Sequence, residues 1–258
     1  MCAAHDESSS AELVYDKIGI GYTSRRRSDP TIFGQIEKAL SPCTTVLNVG
    51  AGTGSYEPTT CTLAVEPSQE MINQRPRTAA HCIRAAAERL PLEDKSFDGA
   101  LASLTIHHWN DIQAGLAEMR RVTRKRIVLF TWDPEFESDF WLTRDYLPAI
   151  LQRDRPRFPN MRQLGAVLQN IEVQTVPIPA QCQDGFFGSF WKRPEAYLDP
   201  EVKRTNSAMA QVDPEHLQDG LRRLSHDLSS GVWADRNSNL AGLTELDLGY
   251  RLVLCDLT

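Results

Sequence analysis

Apolar positions along the chain fall into short continuous runs in the first half, with stretches of helical spacing between them. The runs at 45–50, 61–66, 81–84, 97–104 and 126–132 have the length and β-branched content of buried strands. Ahead of the first run, Ser28 is placed to cap a helix with Pro30 in its first turn, and Ile32, Phe33, Ile36 and Leu40 share its apolar face. Between the fourth and fifth runs, Asn110 or Asp111 caps a helix that turns Ile112, Leu116, Met119 and Val122 towards a sheet. The basic residues at 120–126 close that helix, where they favour its negative end. Strands alternating with helices predict βαβ units and a parallel sheet.

From Glu135 the pattern changes. Helical segments are expected at about 137–152 and 161–169, a strand at 171–178 and a last strand at 249–257. Between these two strands lies a long helical insertion, in which Leu217, Leu221, Leu224 and Leu228 recur at helical spacing. A strand returning after so long an excursion can enter the sheet antiparallel. The expectation is one domain over 1–258, with an N-terminal arm and helices at 1–43, a core at 44–134, and cap-forming insertions at 135–170 and 180–247.

Composition narrows the classes. With 258 residues, 41% hydrophobic and 24% charged, the chain is long enough for a sizeable core. A net charge of −6 argues against a nucleic-acid surface, which needs clustered positive charge. No apolar run approaches the roughly 20 residues that span a bilayer. The N-terminus lacks a cationic segment followed by an apolar stretch, so a cytoplasmic protein is expected. Six cysteines are scattered without CxxC spacing or a histidine partner, which favours reduced thiols and no metal site.

The candidate chemistry begins at TTVLNVGAGTGS, where a strand meets Gly50, Gly52 and Gly54. Such a turn lets bare backbone approach a nucleoside-bearing ligand. Sixteen residues after Gly50, the second strand ends in Glu66, placed to accept hydrogen bonds from ribose hydroxyls. Three cofactors compete for this turn. A phosphate-cradling loop needs a lysine after its glycines, and none follows. A dinucleotide fingerprint needs a third glycine where Ser55 or Glu57 stands, and Glu57 would repel a pyrophosphate. S-adenosylmethionine, cationic and without phosphate, suits an alternating glycine turn with a nearby acid.

Together these segments resemble the class I S-adenosylmethionine-dependent methyltransferases, in particular small-molecule enzymes of the quinone-biosynthesis type. VLNVGAGTG looks like the first family motif, AVEPSQEMI like the second, and AAAERLPLEDKSFDGALAS and LTIHHWNDIQAGLAEMRRV like the segments entering and leaving the fourth strand. The resemblance covers about 44–132. It implies a Rossmann-like, doubly wound sheet of seven strands, mostly parallel with the last antiparallel, under a helical cap. It also implies the glycines beneath the methionine part of the cofactor, Glu66 on the ribose, Pro67 and Met71 beside the adenine, and Ala87 and Glu88 at the base. Leu104 falls in the segment where chain and cofactor methionine meet.

The chain departs from the family pattern in three places. Asn48 stands where an acid usually helps to hold the cofactor ammonium, and Ala86 where an aspartate is common. Only SYEPTTC separates Gly54 from the second strand, leaving room for at most one helical turn. The missing wall is expected from the N-terminal arm, where Tyr15, Tyr22 and Arg26 either fold over the cofactor or form a solvated surface.

Methyl transfer requires alignment of donor and acceptor, exclusion of water and, for some acceptors, removal of a proton. His107, His108, Trp109 and Asp111 follow the fourth strand, and either histidine, His107 first, is a candidate general base; the bland alternative is packing beneath the cap. Tyr22 is a further catalytic candidate by the same resemblance. Trp132 and Asp133 end the fifth strand, and aromatics at 136–146 and 186–191 either wall a pocket or pack the cap. The function expected is methyl transfer to a small organic molecule. Its rivals are a repurposed or non-catalytic S-adenosylmethionine-binding protein, such as a cyclase, and a nicotinamide-dependent oxidoreductase.

Overall fold

The computed structural model describes residues 27–257. Its sheet has seven strands in the order β3-β2-β1-β4-β5-β9-β6: β1 Val46–Val49, β2 Cys61–Glu66, β3 Cys82–Arg84, β4 Phe97–Ser103, β5 Thr123–Trp132, β6 Ile171–Thr175 and β9 Tyr250–Asp256. The first five pair in parallel. Strand β9 runs antiparallel to both β5 and β6.

Both faces of the sheet are covered, which is why its strands read as continuous apolar runs. Alternate residues serve the two sides. Leu101, Val128, Phe130 and Leu252 pack with helix α1, Pro30–Leu40, and with the later insertions. Ala100, Ile127, Leu129 and Val253 pack on the other side, with Leu116, Met119 and Val122 of α3, Ile112–Val122. A short helix α2, Gln69–Asn73, follows β2.

Several boundaries differ from expectation. Asp29, not Ser28, caps α1: its Oδ1 accepts from the Thr31 and Ile32 amides at 3.0 and 3.3 Å. The Ser28 hydroxyl instead accepts the Tyr56 amide at 2.7 Å. Asp111 rather than Asn110 caps α3, accepting the Ala114 amide at 3.0 Å. The basic run 120–126 only begins on α3, and from Thr123 onward it lies in β5. There Arg124 and Lys125 pair with Asp98, at 3.0 and 3.2 Å. The Thr44 hydroxyl and amide also bond to Asp98, and they lead the effects that hold its carboxyl well below the usual range.

The helix expected at 137–152 is split into a wide turn at Leu142–Tyr146 and helix α4, Pro148–Asp154. Pro148 has no amide to continue the ladder and disfavours helical geometry at Leu147, whose φ and ψ are −129° and 57°. Helix α5, Met161–Leu168, opens on a reciprocal Asn160–Gln163 capping box. The strand expected at 171–178 stops at Thr175. Beyond Pro177, β7 (Ile178–Pro179) pairs with β8 (Glu245–Leu246) in a separate ribbon.

The long insertion contains α6 (Pro200–Thr205), α7 (Ser207–Ala210), α8 (Pro214–Ser230) and α9 (Val232–Arg236). Its buried aromatics, Trp191 among them, pack with Trp141 of the segment after β5 and continue the hydrophobic cluster under α1. Trp141 donates to the Trp191 carbonyl and Trp191 to that of Ile178, so both indoles are satisfied in the core. The five described cysteines are free, and burial leads the effects that push the Cys182 thiol up to about 12. No helix among the described residues is long and apolar enough to cross a membrane.

Candidate active site

The order of strands reverses between β1 and β4, and a cleft of about 790 Å3, counted to its open mouth, lies beyond their carboxyl ends. Strand β1 delivers the chain into Gly50, Gly52 and Gly54, all with positive φ, of 68°, 51° and 97°. Gly50 is required by a close approach, since a Cβ there would stand 2.2 Å from the Thr105 hydroxyl oxygen. Gly50 and Gly52 border the cleft. Gly54 is not among its lining residues, and an added Cβ there would meet Arg75 and Ala79 instead.

Glu66 is buried at the end of β2. Its Oε2 accepts the Gly52 amide at 2.8 Å and its Oε1 the Ser68 amide at 3.0 Å. These bonds fix the carboxylate against the glycine turn. Pro67, Met71, Ala87, Glu88 and Leu104 also border the cleft. Glu88 ties two loops together by accepting the Asn110 and Asp111 amides at 2.7 and 3.2 Å.

Asn48 is buried in β1 and is not among the lining residues. Its Nδ2 donates to Glu57 at 3.1 Å, and Glu57 pairs with Arg75 at 2.6 Å. Arg75 reaches the Gly52 carbonyl at 3.3 Å. The carboxylate missing from position 48 is thus present in the same neighbourhood as Glu57, one layer beneath the turn. In the sequence Glu57 figured only as an obstacle to pyrophosphate, because nothing local joins it to Asn48 or Arg75. Tyr15, Tyr22 and Arg26 lie outside the described residues.

Among the described residues, the lining includes Glu66 and Glu88 but no lysine or arginine. A pyrophosphate would find no positive side chain there, whereas a cationic sulfonium nucleoside would meet carboxylates. The donor set therefore fits S-adenosylmethionine and opposes a dinucleotide.

After β4, Leu104 adopts a left-handed backbone with φ 49°, unusual for a branched side chain, and its amide is held by the Phe130 carbonyl at 2.7 Å. This bend leads into a short helical turn at Ile106–His108. Leu104 and His108 border the first cleft and also a second one of about 930 Å3. His107 borders only the second. Its ring stacks on Phe158 at 3.9 Å and meets the His108 ring, tilted by 45°, at 3.8 Å, and its Nδ1 is buried without a partner. Burial, then the charges of His108, Arg157 and Arg153, hold its pKa well below the ordinary value, so the imidazole stays neutral.

Of the aromatics that the sequence suggested as pocket walls, Trp132, Phe140, Phe186 and Phe187 border the second cleft. Trp141, Tyr146, Phe190 and Trp191 are core, and Phe136 lies 4.6 Å from the Arg251 guanidinium. Asp133 closes a turn by accepting the Glu135 amide at 3.0 Å and is not among the lining residues. Phe158, Tyr250, Arg153 and Arg157 also border the cleft, unanticipated. The two arginines sit in RDRPRFP, which reads in sequence as the solvated end of a helix.

Comparison with known proteins agrees with this geometry. Residues 47–130 match a family described as "Methyltransferase domain". A solved structure from Anabaena variabilis, described as "Putative methyltransferase from antibiotic biosynthesis pathway", is 32% identical, with a TM-score of 0.84. The alignment covers 90% of this chain and 99% of that one. The chain belongs to the class I S-adenosylmethionine-dependent methyltransferases. A Streptomyces fradiae protein, "Uncharacterized 37.1 kDa protein in transposon TN4556", is 31% identical over 118 residues, 41% of this chain. The matched stretch spans 33% of that curated relative's length. The "[4+2]-Cyclase SpnF" superposes with a TM-score of 0.56 and covers 96% of both chains, but at 12% identity it shares the fold alone.

Proposed function

We propose that this methyltransferase acts on a small organic molecule held in the second, aromatic cleft. One observation carries the reading: Leu104 and His108 border both clefts, so an acceptor among the aromatics meets the cofactor at the end of β4. The description of the Anabaena variabilis relative supports a product of specialised metabolism as the acceptor class.

The cofactor supplies a methyl group already activated by a positively charged sulfur. In this reading Glu66 holds its ribose, Pro67, Met71 and Ala87 wall its base, and the Gly50 and Gly52 backbone approaches its methionine part. Glu88 sets the loop at the base, while Asn48 and Gly54 act from beneath the turn. Tyr15 and Arg26 of the arm would complete the enclosure. His108, at the junction, removes the acceptor's proton where the acceptor needs it. His107 buttresses that ring through the stack on Phe158, and Tyr22 would cover the reacting atoms.

The test is incubation with methyl-labelled S-adenosylmethionine and fractionated extract of the source organism. Label is expected in low-mass organic compounds. Label in protein or RNA would overturn the substrate class. Binding of S-adenosylhomocysteine with no label transferred to any fraction would favour a repurposed protein.

A further inference from the structure

We infer that the methyl acceptor is an organic anion, an apolar ring-sized body carrying a carboxylate-like group that engages Arg157, beside the charge of Arg153. The inference rests on the methyltransferase reading above and adds the chemistry of the acceptor.

The wall of the second cleft combines two chemistries. Phe140, Phe158, Phe186 and Tyr250 offer apolar faces, while Arg153, Arg157 and Gln211 carry polar groups. Arg153 gives its Nε and Nη2 to Asp154, at 2.7 and 3.0 Å. That fork leaves Nη1, which has no partner but is buried away from the cleft, so Arg153 contributes charge to the wall rather than a bond to the occupant. Arg157 donates to the neutral Gln211 Oε1 at 2.9 Å and has no carboxylate partner among the described residues. Two guanidiniums thus face one carboxylate, and the wall holds a net positive charge.

A guanidinium left without an anion in a half-buried wall, as Arg157 is, is costly unless the occupant supplies the acceptor oxygens. A carboxylate matches the planar fork of arginine, which binds it through paired charge-assisted bonds. His107 adds no competing charge, since it is held neutral in the same wall. The two clefts are also opposite in sign. The first offers Glu66 and Glu88 to a cationic cofactor, and the second offers arginines. Donor and acceptor are therefore sorted by charge before they meet at Leu104 and His108.

Calorimetric titration of the full chain saturated with S-adenosylhomocysteine tests this, using 1-naphthoate and the neutral 1-naphthalenemethanol as probes. The anion is expected to bind at least about tenfold tighter, as charge-assisted bonds to arginine require. Arg157→Gln should abolish the preference and Arg157→Lys restore part of it, with retained S-adenosylhomocysteine binding showing that each variant is folded. Equal affinities, or no binding of naphthoate to the saturated protein, would overturn the inference whatever the variants do. Loss of S-adenosylhomocysteine binding by the unaltered protein would instead overturn the reading beneath it.

Discussion

His107 is held well away from its ordinary protonation state. Its ring touches those of His108 and Phe158, and burial keeps it uncharged. The folded pKa is below the unfolded value of about 6.5, so beneath that pH the unfolded chain binds a proton that the fold rejects. Stability is then complete above about pH 6.5 and falls as the pH drops, by up to about 1.4 kcal/mol per pH unit from this group, until its folded pKa is passed. Urea denaturation of His107→Phe between pH 6.5 and 5 should show a shallower loss than the unaltered protein; parallel slopes would contradict the assignment. Residues of this kind divide by legibility. Glu66 and the glycines were readable because a strand end and a fixed spacing place them. Glu57, Arg75, Arg153 and Arg157 were not. Their roles arise from how the fold brings segments together, and nothing local in the sequence joins them to their sites.

Elements were legible where one pattern governed them. The parallel strands and α3 follow from apolar periodicity, and the short connection after Gly54 forms turns and no helix. Tyr56, inside that connection, is fully buried, its hydroxyl accepting the Asp29 amide at 3.3 Å, so the loop pins the start of α1 in place of a helix. Periodicity failed at 137–152 because Pro148 divides the helix there. Helix packing gives a paired prediction. Gly34 in α1 has open space around a notional Cβ, whereas at Gly220 in α8 a Cβ would stand 2.4 Å from the Tyr146 carbonyl oxygen. Gly34→Ala should stabilise by about 0.5–1 kcal/mol through helix propensity. Gly220→Ala should lose about 1–3 kcal/mol, because the clash is with backbone that cannot rotate aside. Thermal unfolding of the two variants checks both signs, and a stabilised Gly220→Ala would show that α8 does not seat against the 142–147 segment.

At the scale of the molecule, the reversal of strand order between β1 and β4 places the nucleoside cleft, and the insertions after β5 add the aromatic cleft beside it. The first follows from the fold; the second belongs to this chain's own loops, so the kind of cofactor could be read from sequence and the acceptor could not. The central claim is that the cleft at Gly50, Gly52 and Glu66 receives S-adenosylmethionine. Its most direct test is calorimetric titration of the unaltered protein and of Glu66→Ala with S-adenosylhomocysteine and with NAD. The account predicts one S-adenosylhomocysteine bound per chain, at least about tenfold weaker in Glu66→Ala because a charge-assisted bond is lost, and no NAD bound. Binding of NAD in place of S-adenosylhomocysteine, or an affinity indifferent to Glu66, would contradict it.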